Sequence, residues 1–258
     1  MSKKAESRET HWERIAPQTA APNIDDWYNT YSGRSVLRAF DELLPCSLES
    51  KNLLDVGCGV GYYFQYFRGR GVKECVGVDV GEKLLEIQRK VNPFVKNVLG
   101  SAESLPFPDE CFDIVISLGL VEHFRNPQLV LHEFTRVLKR GGVLIIETPN
   151  KLNLIFTIYK ILNRRKLVWE HWRGPKDLIR EMQGIPNLKF ERFTSSIVFA
   201  WYFTILVNNR ISRSLGFRNV LSKVEHKWVF RNFGCLMFVA SVKVDSKEEK
   251  GTLYEMGK

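Results

Sequence analysis

The chain alternates between two hydrophobic periods. Asn52–Val56 is a short apolar run entering Gly57. Beyond it the pattern predicts a helix near 60–69, a strand at Cys75–Asp79, a helix at Glu82–Lys90 and a strand at Phe94–Leu99. A strand at Phe112–Ser117, a helix at Pro127–Lys139 and a strand at Val143–Glu147 follow. Ile114-Val115-Ile116 and Val143-Leu144-Ile145-Ile146 are nearly unbroken apolar runs, which suits a parallel sheet buried on both faces. Alternating strands and helices of this length predict a doubly wound α/β fold. The helix at 127–139 has the clearest stripe: Leu129, Val130, Phe134, Val137 and Leu138 share a face, and Gly141-Gly142 marks its end.

The flanks differ. Residues 1–34 are polar, with Trp12, Trp27, Tyr28 and Tyr31 interspersed, and read as an arm or lid. An amphipathic helix is expected at Ser35–Leu44, stopped by Pro45. After Pro149 come an apolar run at Lys151–Leu162, a helix at Pro175–Met182, an alternating strand at Leu188–Phe193, a second apolar run at Ile197–Val207 and a strand at Cys235–Val244. These place residues 1–50 as arm and helix, 51–246 as the main domain and 247–258 as a charged tail. Ile197–Val207 is far shorter than the roughly 20 residues of a spanning helix.

Charge is uneven. Residues 1–150 carry 18 Lys+Arg against 20 Asp+Glu, whereas residues 151–258 carry 20 against 9. The basic half favours anionic partners such as a phosphorylated substrate, acidic lipid or nucleic acid, although a generally solvated basic surface explains it equally. The five cysteines are odd in number and widely spaced, which argues against a disulfide framework or a structural zinc site. The charged start, MSKKAESRETHWER, lacks the apolar stretch of a signal peptide, so a cytoplasmic location is expected.

The chemistry concentrates at Leu53-Leu54-Asp55-Val56-Gly57-Cys58-Gly59-Val60-Gly61. A strand runs into a turn with glycine at every second position, and a helix follows. Such glycines permit positive φ and close approach of backbone to a ligand, and amides at a helix start face a bound group. Asp79 ends the next strand, about 20 residues on, where a carboxylate can accept hydrogen bonds from ribose hydroxyls. The turn is GxGxG, not the GxGxxG of dinucleotide-binding folds.

The stretch from about Asn52 to Pro149 resembles the type 11 methyltransferase family of the class I S-adenosylmethionine (SAM) dependent superfamily. Leu53–Gly61 is similar to its first motif and Asp79 to its ribose-binding acid. Gly100–Phe107 resembles the segment passing the adenine, Cys111–His123 the strand and loop beside the transferred methyl, and Leu138–Leu144 the turn into the fifth strand. The resemblance implies a Rossmann-like sheet of seven strands, mostly parallel with the last antiparallel, and cap insertions at about 150–174 and 195–232. It implies SAM as cofactor, held by Asp55, Gly57, Cys58, Gly59, Gly61, Asp79, Val80, Ser101, Ala102, Glu103 and Leu118, with no metal. The family usually has aspartate where Ser101 stands, so the adenine contacts depart from the pattern.

His123, in Val121-Glu122-His123-Phe124 on the carboxyl edge of the sheet, is the first candidate general base. The alternative is that Glu122 and His123 merely order the turn into the next helix. His171, in Trp169-Glu170-His171-Trp172-Arg173, is the second candidate, as part of an aromatic acceptor pocket or as plain packing. No Asn/Asp-Pro-Pro-Tyr motif follows the fourth strand, which disfavours N-methylation of nucleic acid. The expected reaction is methyl transfer, O- or C-directed, to a small hydrophobic or phosphorylated acceptor such as a quinone precursor, a lipid or a cell-surface sugar. An RNA- or protein-directed methyltransferase and a non-catalytic SAM-fold subunit are the competing readings. The apolar insertions beside Arg164, Arg165 and Lys166 also suit peripheral contact with an anionic membrane, or ordinary core packing. Oligomeric state is not legible.

Overall fold

A computed structural model describes residues 31–152, 171–196 and 236–244. The arm at 1–30, most of the run at Lys151–Leu162, the run at Ile197–Val207 and the tail lie outside the described residues.

The elements in chain order are α1 (Tyr31–Leu43), β1 (Asn52–Val56), α2 (Phe64–Gly69), β2 (Glu74–Asp79), α3 (Glu82–Val91), β3 (Lys96–Leu99) and β4 (Phe112–Leu118). A 3₁₀ turn (Val121–His123) leads to α4 (Gln128–Val137), β5 (Leu138–Pro149), α5 (Pro175–Gln183), β6 (Leu188–Ser196) and β7 (Leu236–Lys243). They build the expected doubly wound sheet of seven strands, in the order β3-β2-β1-β4-β5-β7-β6. β1 to β5 pair in parallel. β7 runs antiparallel to both of its neighbours, inserted between β5 and β6 instead of closing an edge.

Each central strand splits its side chains between two cores, because successive residues point to opposite faces. Leu54, Val115, Leu144 and Ile146 pack under α4 and α5, with Phe134, Val137, Leu178 and Met182. Leu53, Ile114, Ile116 and Ile145 face the other layer, with Phe40, Phe64, Phe67 and Leu85. α1 belongs to this second core. Phe40 is fully buried, with its ring 5.1 Å from that of Phe67 and 6.5 Å from that of Phe238. Residues 31–34, read from sequence as part of the arm, are the first turn of this helix.

Several boundaries move for identifiable reasons. α2 starts at Phe64, not near 60, because Gly61 has φ +73° and cannot lie within a right-handed helix. β3 starts at Lys96, since Val95 still closes a turn onto Asn92 O at 3.1 Å. α4 ends at Val137 although Leu138 continues its stripe. Leu138 is extended (φ −75°, ψ 133°) and pairs with Phe112, so sheet pairing overrides helical periodicity there. Gly141-Gly142 therefore lies within β5, not at a helix end. Among the described residues no helix is long and apolar enough to cross a membrane.

Candidate functional site

β1 and β2 end side by side, and the two turns that follow them are stitched together by hydrogen bonds. The amides of Gly57 and Cys58 both donate to Val78 O, at 2.8 and 3.1 Å. Gly59 has φ +53°, and a Cβ placed on it would meet nothing within 4 Å. Its open side leaves room for a ligand against bare backbone. Gly61 is glycine for the opposite reason: a Cβ there would stand 2.7 Å from the Phe64 ring and 2.8 Å from Gln88 Cγ. Behind the turn, the fully buried Asn92 donates from Nδ2 to Gly61 O at 2.9 Å.

Asp79 is the hinge pin of this arrangement. Its Oδ2 accepts the Gly59 amide at 2.9 Å, and its Oδ1 accepts the Gly81 amide at 2.8 Å. One carboxylate thus holds both the β1 turn and the β2 turn. A carboxylate offers about four acceptor positions, so the clamp is compatible with donors from a ligand as well. Gly100 N donates to Asp79 O at 3.0 Å and brings a third strand end to the same place.

These turns frame a cavity of about 330 Å³ at the carboxyl ends of the strands. Gly57, Cys58, Gly59, Asp79, Val80, Ser101, Ala102, Glu103, Leu118 and His123 all line it. Of the other residues expected there, Gly61 sits behind the turn. Asp55 is buried beneath it, 2% exposed, and burial together with the nearby Asp79 pushes its carboxyl well above the usual range. Ser101 pairs with Ser104 in a short bridge, and its Oγ accepts the Glu103 amide at 3.2 Å, so it shapes the segment beside the cavity. His171 is exposed and is not among the residues lining the cavity; its amide donates to Glu122 O at 2.6 Å and its carbonyl accepts from Arg173. Tyr62, Tyr63, Leu84, Leu120 and Phe124 also line the cavity and were not singled out from sequence. The Tyr62-Tyr63 pair directly after the glycines was the available signal.

A family profile described as a methyltransferase domain matches residues 54–146, which contain both turns and the strands that carry them. Residues 54–146 are a class I SAM-dependent methyltransferase domain. A tRNA U34 carboxymethyltransferase of Alteromonas mediterranea is 33% identical over 110 residues, covering 39% of this chain and 33% of that protein. A mitochondrial ubiquinone biosynthesis O-methyltransferase of Dictyostelium discoideum is 29% identical over 154 residues, covering 51% of this chain and 48% of the relative. The chain thus spans about a third and about a half of these two relatives. A SAM-dependent methyltransferase structure from Thermotoga maritima shares the fold, with a TM-score of 0.63 and 20% identity over 90% of this chain and 98% of that one.

The fold and family of the methyltransferase domain imply SAM as cofactor, and the cavity fits it. An adenosyl group needs a carboxylate for ribose, bare backbone for close approach and apolar walls for the base. Asp79, Gly59 and the side chains of Leu84 and Ala102 supply these around one space. Leu118, Gly119, Leu120, His123 and Phe124 form the other end of the cavity, where β4 runs into the 3₁₀ turn. The buried Arg173 locks that turn from behind. Its guanidinium donates to Val121 O at 3.2 Å, to His171 O at 2.7 Å and to Phe124 O at 2.9 Å, and it also pairs with Glu181.

Proposed function

We propose that the protein transfers a methyl group from SAM to oxygen or carbon of a small acceptor. The acceptor class is hydrophobic or phosphorylated: a quinone precursor, a lipid or a cell-surface sugar. The observation that carries this reading is the cavity in which Asp79, clamped by two backbone amides, faces an apolar wall of Leu118, Leu120 and Phe124. In this reading Asp79 binds the ribose. Gly57, Cys58 and Gly59 lie along the amino-acid portion with Gly61 supporting the turn, and Asp55 orients it from beneath. Val80, Ser101, Ala102 and Glu103 surround the adenine, and Leu118 adjoins the transferred methyl. SAM supplies an activated methyl on sulfonium. The chain's part is to bind, align and exclude water. His123 lines the acceptor side and is the candidate to take a proton from an acceptor hydroxyl.

The similarity to proteins named for ubiquinone biosynthesis and for malonyl-[acyl-carrier protein] O-methylation supports a small or carrier-bound acceptor. Similarity to a tRNA-modifying protein and the basic C-terminal half favour a second reading, an RNA-directed enzyme. Incubation with methyl-labelled SAM and fractionated cell extract separates them. Label in the small-molecule or lipid fraction supports the first reading; label in RNA alone overturns it.

A further inference from the structure

Beside one end of the cavity lies a buried carboxyl with an oxygen that no described residue satisfies. Glu147 sits near the end of β5 and is 6% exposed. It pairs in register with Leu118 of β4 and, on the other side, with Phe238 of β7, whose side chains are apolar, and the Gly119 amide is the main-chain donor beside its carboxyl. Its Oε1 is buried without a hydrogen-bond partner, and it forms no salt bridge among the described residues. Its main-chain oxygen accepts the Gly119 amide at 3.1 Å, which places it one residue behind two lining residues, Leu118 and Gly119. Glu122 is the charged group that faces it, from the 3₁₀ turn. Glu122 Oε1 lies 3.7 Å from where a Gly119 Cβ would stand, so both carboxyls approach Gly119, a residue of the cavity wall, from behind the lining.

A buried carboxyl with an unmatched oxygen is costly to keep. Burial, and secondly Glu122, push the Glu147 carboxyl well above the usual carboxylate range. A protonated carboxyl can both donate and accept a hydrogen bond, which an apolar wall cannot do. An unsatisfied buried polar atom in a native fold calls for a reason, such as a catalytic role or a bound water or ion.

We propose that Glu147 defines the acceptor subsite, where its carboxyl takes the hydrogen-bonding head of the methyl acceptor, a hydroxyl or an ammonium group. This rests on the methyltransferase reading above and sharpens it, because an acceptor lacking such a head leaves Glu147 unmatched.

Two variants test it: Glu147→Gln, which keeps shape, and Glu147→Leu, which removes polarity. The first measurement is thermal unfolding at pH 7.5 and pH 5. A native carboxyl with a raised pKa binds a proton that the unfolded chain releases above about pH 4.3. Stability supplied by that group therefore falls as pH rises towards the native value. Glu147→Gln should raise Tm at pH 7.5 by roughly 3 °C or more, with a smaller gain at pH 5. A lower Tm at both pH values would make Glu147 a structural group and overturn the proposal.

The second measurement is binding of phenol, benzylamine and anisole to protein loaded with S-adenosylhomocysteine. Phenol or benzylamine should bind about tenfold more tightly than anisole, which has no donor hydrogen, and Glu147→Leu should abolish the difference. Equal binding of all three to the wild type overturns the proposal. Phenol and benzylamine distinguish hydroxyl from amine. S-adenosylhomocysteine affinity should be the same in all three proteins. If the wild type does not bind it, the methyltransferase reading fails, and the unfolding comparison still decides whether Glu147 is structural.

Discussion

The two ends of the cavity are built on different principles. At the cofactor end, backbone does most of the work. Gly57 and Cys58 amides meet Val78 O, Gly59 and Gly81 amides meet Asp79, and Asn92 braces Gly61 O. At the acceptor end, side chains dominate. Leu118, Leu120 and Phe124 form the wall, Arg173 pins the 3₁₀ turn, and Glu147 keeps an unmatched oxygen. In the reading proposed above, the first end, held by main-chain bonds, serves one invariant ligand, and the second, where Glu147 keeps an unmatched oxygen, serves the variable one. A scaffold of this kind can change acceptors without disturbing its grip on the cofactor.

Breaking the acceptor end should leave the cofactor end intact. Arg173→Ala removes the guanidinium that bridges the Val121, His171 and Phe124 carbonyls and breaks its pairing with Glu181. A loss of about 3 kcal/mol in stability is expected, measured by denaturant titration. SAM affinity should change by less than about threefold in calorimetry, as for independent sites. A large loss of SAM binding would show that the two ends are one unit. The converse is Gly61→Ala. Its Cβ would press on Phe64 and Gln88, and its φ of +73° is one that side chains rarely adopt. About 2 kcal/mol of stability should be lost, and SAM affinity should fall with it, because the displaced turn carries the Gly59 edge.

The same contrast governs what the sequence made legible. The cofactor end depends on glycine at fixed spacing and an acid at a strand end, which are local signals. Asp79 and the residues at 57–59 were readable for that reason. What stayed hidden was pairwise: that Asp79 clamps both turns, and that Asn92, 31 residues away, braces Gly61. The strands were readable from apolar runs because both faces are buried. β5 was misjudged at its start because Leu138 satisfies a helical stripe and a strand pairing equally, and only the neighbouring Phe112 decides between them. Glu147 went unnoticed because one acid ending an apolar strand carries no local signal. The setting of that carboxyl comes from Leu118, Gly119 and Glu122, which the chain brings to it from another strand and turn. His171 shows the opposite error. Its aromatic neighbours in sequence suggested a pocket, whereas the residue is exposed and its main chain makes the contacts with Glu122 and Arg173.

Asp79→Ala gives the next largest effect and tests the cofactor end directly. The substitution removes charge-assisted acceptors for the ribose and releases the Gly59 and Gly81 amides at once. SAM should bind at least tenfold more weakly, about 1.4 kcal/mol, in calorimetric titration. Asp79→Asn separates the two roles. Its amide oxygen can keep one backbone amide but not both, so affinity should fall to an intermediate value. Equal affinity of wild type and Asp79→Ala would remove the ribose assignment.

The smallest expected effect is the most discriminating, because it is a gain. Ser101 stands where the resembling family usually carries aspartate, and it lines the cavity next to Ala102. Its hydroxyl already accepts the Glu103 amide at 3.2 Å, a bond that an aspartate carboxylate at the same position can also accept while keeping an oxygen for a ligand donor. Ser101→Asp should therefore tighten SAM binding about threefold, some 0.6 kcal/mol, a modest yield for a charged acceptor in a partly solvated site. The opposing term is repulsion from Asp79 and Glu103, which line the same cavity, and salt separates the two. Repulsion between partly exposed charges weakens as salt is added, whereas a short hydrogen bond to the ligand is screened much less. A gain that grows from low to physiological ionic strength fits an adenine-side acceptor at position 101. A loss at every ionic strength would place the adenine away from Ser101 and shift its recognition to Glu103.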